Sequence, residues 1–373
     1  MEYRKMNDTY NTSLLGFGCM RFPVLENGDI DEVEAEKMLD LAITHGVNYI
    51  DTAFTYHDGE SEIFVGKVLK KYPRKDFYVT TKMPLWDIET REEALAMFEN
   101  QLHKLDVDYV DFYLLHALDK EKWDKVKRLD ILNLCFDLQR QGKIRNLGFS
   151  FHDDYEVFEE IINDHHWDFC QIQYNYIDTN IQAGEKGYEL AQRLNIPLVI
   201  MEPIKGGSLA QLPEDIASIF KAYHPNDSIS SWALRYVGSK QNVKVILSGM
   251  STLEQVQDNL ETFNDFKPLE VEEAEIVNKV AQIIQSRTKN GCTGCGYCMP
   301  CPFGIDIPNN FRIWNDVSKY GNIEKAKNKY FNLMDVKQRA SACQKCGKCE
   351  TLCPQQLQIR QDLDKASHDI EKL

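Results

Sequence analysis

Between residues 14 and 265, short apolar runs alternate with longer stretches whose apolar positions recur every three or four residues. The runs at 14–18, 48–52, 77–82, 110–116, 144–150, 169–175, 197–203 and 243–249 are short and bounded by turn residues, which predicts strands. The stretches at 33–45, 90–105, 120–141, 155–163 and 252–264 predict amphipathic helices between them. Eight such units over about 250 residues is the length of a (β/α)8 TIM barrel, an α/β fold. A doubly wound sheet is the main alternative. Gly16-Phe17-Gly18, however, lacks the third glycine and the helix start of a phosphate loop.

After Pro268 the pattern changes to a polar helix at 271–287, then to helix-like segments at 309–319 and 323–334, and last to a charged stretch that reads as a solvated cap. This predicts two domains, 1–288 and a smaller 289–373. The net charge of −15 argues against nucleic acid and anionic membrane surfaces as partners. No apolar run approaches the ~20 residues of a membrane span, and the first residues lack the apolar core of a signal peptide. A cytoplasmic location is therefore expected. Of the 11 cysteines, Cys19, Cys135 and Cys170 are scattered and the other eight form two runs after residue 290. In a reducing compartment such runs read as metal ligands rather than disulfides.

Candidate chemistry gathers at strand ends. The segment 48–69 carries Asp51 and Tyr56 just past its strand, the next strand delivers Lys82, and the one after delivers His116. In a barrel those are the carboxyl ends, where active sites lie. Free tyrosine has a pKa of about 10, and bringing it to 7 takes about 4 kcal/mol of stabilisation of the phenolate. A buried ammonium supplies much of that, and a carboxylate keeps the ammonium charged. Tyr56, Lys82 and Asp51 suit these roles, with His116 holding a substrate oxygen. Singly, Lys82 reads as a surface lysine and His116 as a core histidine; together at one end of the strands the four read as a site for protonating a carbonyl while hydride arrives. Trp86, His152 and Cys19 have structural readings at least as good as functional ones.

In IDTAFTYHDGESEIFVG, VTTKMP and DFYLLHAL these four residues stand in the order and context of the aldo/keto reductase tetrad, and residues 1 to about 285 resemble that family. The resemblance implies an extended NADPH or NADH, bound without a Rossmann loop, and a small aldehyde or ketone substrate. It implies carboxamide contacts from Ser150 in LGFSFH and Gln171 in CQIQYN. Phe151 stands where asparagine often follows the serine, and Met201 stands where an aromatic often stacks on the nicotinamide. In VILSGMSTLEQVQDNL, Ser248, Gly249 and Asn259 align with phosphate and adenine contacts. Gln255 replaces the arginine that grips the 2′-phosphate of NADPH in many members, so a charge-assisted pair is lost and NADH stands beside NADPH.

Cys343, Cys346, Cys349 and Cys353-Pro354 follow the C-x₂-C-x₂-C-x₃-C-P spacing of bacterial two-cluster ferredoxins, and Cys292, Cys295, Cys298 and Cys301-Pro302 repeat it one residue shorter. In that pattern the fourth cysteine of each run serves the other cluster. One [4Fe–4S] cluster would use Cys292, Cys295, Cys298 and Cys353, the other Cys343, Cys346, Cys349 and Cys301. Four-cysteine zinc sites are the alternative, but they usually pair two C-x-x-C units. The tail resembles the ferredoxin-like dicluster domain found behind some bacterial aldo/keto reductases. With roughly 40 helix-like residues between the runs, a mainly α-helical form is expected. Three functions remain open: a reductase exchanging electrons with an external electron-transfer protein, a reductase whose clusters only brace the fold, and an electron carrier with a vestigial barrel. The intact tetrad counts against the last. Nicotinamide moves two electrons and each cluster one; a flavin is the usual converter, and no flavin motif is readable here.

Overall fold

The computed structural model describes all 373 residues. In chain order the strands are β1 Tyr3–Lys5, β2 Asn11–Ser13, β3 Leu15–Gly18, β4 Tyr49–Asp51, β5 Tyr78–Met83, β6 Val110–Leu118, β7 Ile144–Phe151, β8 Phe169–Gln173, β9 Leu198–Met201 and β10 Val243–Ser248. Strands β3 to β10 close into a barrel, each parallel to its neighbours, with β10 pairing back to β3. All eight predicted strands are present. Their near-continuous apolar character follows from burial on both faces. Tyr49, Phe112, Leu114, Phe169, Val199 and Val245 fill the barrel interior and leave no pore.

Two features differ from the sequence expectation. The amino-terminal residues form an antiparallel hairpin, β1 with β2. Met6 and Tyr10 of its turn pack on the interior side chains, the Tyr10 ring 5.1 Å from Tyr78 and 5.4 Å from Phe112. The hairpin thus plugs the amino-terminal mouth; three-residue strands are too short to show a period. The helix expected over 120–141 is two helices, Lys120–Arg128 and Ile131–Arg140, broken where Asp130 takes a φ of 55°. Asp130 there pairs with Arg91 and accepts from the Asn133 amide at 2.6 Å, bonds that hold the break.

The chain divides into two compact units, 1–206 with 231–271, and 207–230 with 272–373. The second holds no strand and is mainly helical. Its core gathers Ile305, Ile307, Phe311, Trp314, Tyr330 and Leu363, with six cysteines packed against it. The terminal helix Ile359–Glu371 is not a solvated cap: Ile359, Leu363, Ala366 and Ile370 lie on one face and are buried. Its charges occupy the other face, which is why the segment reads as polar throughout. No helix is long and apolar enough to cross a membrane.

Candidate functional site

At the carboxyl ends of the barrel strands lies a cleft of about 530 Å³, a size that suits a small-molecule site. Asp51 ends β4, Lys82 lies in β5 and His116 in β6. Lys82 is fully buried and donates to Asp51 Oδ1 at 2.7 Å, to the Thr52 carbonyl at 2.7 Å and to the Tyr56 hydroxyl at 3.3 Å. The Tyr56 and His116 rings meet edge to face at 6.3 Å, and Trp86 lies tilted 5.0 Å from His116. Directly after Tyr56 the chain passes through three left-handed residues, His57, Asp58 and Gly59. For each non-glycine that costs roughly 1–2 kcal/mol, and it turns the backbone from the strand end into the helix Ser61–Leu69.

The electrostatics refine the expected activation of Tyr56. Burial raises its pKa above the ordinary value, and the neighbouring Lys82 ammonium only partly offsets this. The hydroxyl therefore keeps its proton at neutral pH. Burial alone would push Lys82 down, but Asp51 and Tyr56 outweigh it and the ammonium titrates above its usual value. Burial lifts the Asp51 carboxyl against the pull of Lys82. Burial, and then Lys82, hold His116 well below the usual imidazole range, so the ring is neutral near pH 7.

Two residues that the sequence reading did not single out brace Lys82 from behind. Gln101 Nε2 lies 2.8 Å from the Lys82 carbonyl, 2.9 Å from Glu62 Oε1 and 3.1 Å from Thr81 Oγ1, while Tyr113 donates to Gln101 Oε1 at 2.7 Å. Glu62 and Gln101 are both fully buried. The helix bearing Glu62 comes so close that a Cβ on Gly66 would sit 2.5 Å from the Leu105 carbonyl. A polar residue on each apolar helix face was the available signal.

Four residues lining the cleft keep a buried polar atom with no partner in the protein: Asp51 Oδ2, His57 Nε2, His116 Nδ1 and Gln171 Oε1. Buried polar atoms are almost always satisfied, so this lining fits a polar ligand that brings its own donors and acceptors. Of the expected cofactor contacts, Ser150, Gln171, Met201 and Gly249 line the cleft; Ser248, Gln255 and Asn259 do not. Ser150 Oγ accepts from the Ala117 amide at 2.7 Å, and Gln171 Nε2 lies 3.5 Å from Met201 Sδ. Asn259 donates to Ser248 Oγ at 2.8 Å inside the fold. Gln255 is exposed and accepts the Ser251 amide at 2.8 Å, capping its own helix. Arg21, absent from the sequence reading, brings a guanidinium to the cleft, 3.9 Å from Glu202.

In the second unit Cys292, Cys295, Cys298 and Cys353 line one cavity and Cys301, Cys343, Cys346 and Cys349 another. No three Cys, His, Asp or Glu side chains converge closely enough to hold a single ion. Each cavity is instead walled by four thiols, the number that a [4Fe–4S] cluster takes. The Lys345 amide donates to Cys343 Sγ at 3.4 Å, and Ile307 lines both cavities.

A sequence model described as the aldo/keto reductase family matches residues 14–282, and one described as the 4Fe-4S dicluster domain matches 291–357. A probable aldo-keto reductase of Glycine max is 30% identical over 149 residues, 38% of this chain and 42% of that relative. The NADH-specific methylglyoxal reductase of Escherichia coli (strain K12) is 25% identical over 291 residues, 64% of this chain and 85% of that one. The solved structure of an aldo-keto reductase from Bacillus halodurans, in its holo form, superposes with a TM-score of 0.63 at 27% identity, covering 75% of this chain and 96% of that one.

Proposed function

The chain belongs to the aldo/keto reductase family and carries a 4Fe-4S dicluster domain, and from that premise we propose that this oxidoreductase reduces a small aldehyde or ketone with NADH or NADPH, Tyr56 acting as the acid. The observation that carries the proposal is the buried chain from Asp51 through Lys82 to Tyr56, which opens on a cleft with unpartnered polar atoms. Nicotinamide, when bound, supplies the hydride. Gln171 Oε1 and Ser150 suit its carboxamide, and Met201 would lie against the ring. His116, neutral, offers an N–H to the carbonyl oxygen. Tyr56 gives its proton to that oxygen as negative charge builds there, and Lys82 stabilises the phenolate left behind. Solvent protons later restore the phenol, so the net reaction consumes one hydride and one proton.

We assign residues 1–288 to the reductase and 289–373 to the clusters, supported by family matches that stop at 282 and resume at 291. Two [4Fe–4S] clusters fit the two thiol sets. The exposed Cys295 and Cys346 favour exchange with an external electron-transfer protein over a purely bracing role. Gln255 offers no cation to a 2′-phosphate and is folded into a helix cap, and one relative is named as NADH-specific. Initial rates with a small dicarbonyl should therefore give a kcat/KM with NADH at least equal to that with NADPH. No turnover with either nucleotide across aldehydes and ketones would remove the carbonyl reductase reading.

The pH profile follows from the site. Reduction needs the protonated phenol, whose pKa is raised, so kcat/KM should stay flat through neutrality and fall only above about pH 10. His116 is already neutral and adds no limb in the usual histidine range. A limb near pH 6.5 in the free enzyme would assign an essential titration to the imidazole instead.

A further inference from the structure

The three neighbouring cysteines of each thiol set are matched in spacing, and each set has one exposed cysteine and three half-buried ones. Their surroundings differ in charge. No Asp, Glu, Lys or Arg lines the Cys292 cavity, whose remaining walls include Ile307, Phe311, Leu357 and Ile359. Lys345 and Arg360 line the Cys346 cavity. Each is held by a carboxylate that does not line it. Arg360 Nε and Nη2 donate to Glu350 Oε2 at 2.9 and 2.7 Å, its amide donates to Oε1 at 2.9 Å, and Lys345 Nζ lies 2.7 Å from Asp364 Oδ2. The guanidinium carbon comes within 3.4 Å of where a Cβ on Gly347 would stand, between Cys346 and Cys349. Both cations thus stand at the second cavity, and Glu350 follows Cys349 directly in sequence.

We infer that the two clusters are electronically unequal, and that a single electron on this domain settles on the cluster of Cys301, Cys343, Cys346 and Cys349 because Lys345 and Arg360 face it. The inference rests on the two-cluster reading above. One-electron reduction adds one negative charge to a cluster and breaks no bond, so a cation lining the cavity stabilises the reduced form and its paired carboxylate offsets part of this. Cluster potential is set by net charge, hydrogen bonding and exposure; exposure is matched, and the Lys345 amide on Cys343 Sγ acts in the same direction as the two cations. The electron comes from a one-electron donor, a reduced electron-transfer protein in the cell or dithionite in the experiment.

The test is an anaerobic redox titration of the full chain with dithionite, following each cluster by electron paramagnetic resonance. The native protein should show two one-electron waves. In Arg360→Gln the higher wave should move down, the reduced-to-oxidised ratio at fixed potential falling about tenfold, which is about 59 mV for one electron, while the lower wave stays. In Glu350→Gln, which removes the opposing carboxylate, the same wave should move up. Opposite shifts do not arise from general loosening. Coincident waves in the native protein, or variants that shift both waves or shift in one direction, overturn the inference. Iron and acid-labile sulfide should be about eight each per chain in all three proteins. Roughly four would strike the two-cluster reading and this inference with it, whereas eight with unmoved waves strikes the inference alone.

Discussion

Tyr56→Phe is expected to lower kcat/KM for carbonyl reduction by about 10²- to 10⁴-fold, the usual contribution of a positioned general acid. The change removes one hydroxyl and little else. The ring keeps its edge contact with His116 and its place 4.9 Å from the Lys82 ammonium. Lys82 retains Asp51 Oδ1 and the Thr52 carbonyl, so no charge is stranded and thermal unfolding should move little. Iron content should match the native protein. Steady-state rates, read with the affinity for the nicotinamide, separate lost proton transfer from lost binding. A variant that turns over within threefold of native would exclude Tyr56 as the acid.

Lys82→Met should remove activity as fully and, unlike the first change, cost stability. Lys82 and Asp51 are both buried, and Asp51 Oδ2 already lacks a partner. Without the ammonium, Oδ1 loses its ion pair as well. Breaking a buried pair from one side costs about 3–5 kcal/mol, because the remaining charge has nowhere to go. The sign of its pH dependence follows. Burial already raises the Asp51 pKa in the fold, and removal of the cation raises it further, so the folded variant binds a proton more tightly than the unfolded chain. Stability should be least impaired below the unfolded value of about 4 and fall as pH rises from there through the folded pKa. Denaturant unfolding at several pH values measures this. Replacing Asp51 by Leu in the same chain should restore most of the stability and none of the activity; a double variant as unstable as the single would mean that the loss comes from packing rather than the stranded carboxylate.

Much of this site was legible in the chain because its parts are local. Short apolar runs bounded by turns made the eight strands readable, and the tetrad lay within or just past three of them. The cysteine spacing pointed to clusters, since the reach of a short loop around one cubane is itself a local property. What the sequence reading did not contain has a common character. The brace of Glu62 and Gln101 joins residues 39 apart in sequence, and each alone is an ordinary polar residue on an apolar helix face. The amino-terminal hairpin acts through Met6 and Tyr10, whose partners lie on strands far along the chain. The terminal helix looked solvated because its charges outnumber its apolar positions, although four of the latter share one face.

The sequence by itself determined the order of the eight barrel strands, the barrel and the family to which its motifs point, because periodicity and spacing act over a few residues. Only the tertiary structure decided that the Tyr56 hydroxyl stays protonated beside Lys82, and that Lys345 and Arg360 line one thiol cavity while no charged residue lines the other. These depend on burial and on charges brought together from distant positions, and neither desolvation nor Coulomb energy is defined until the chain has closed around them.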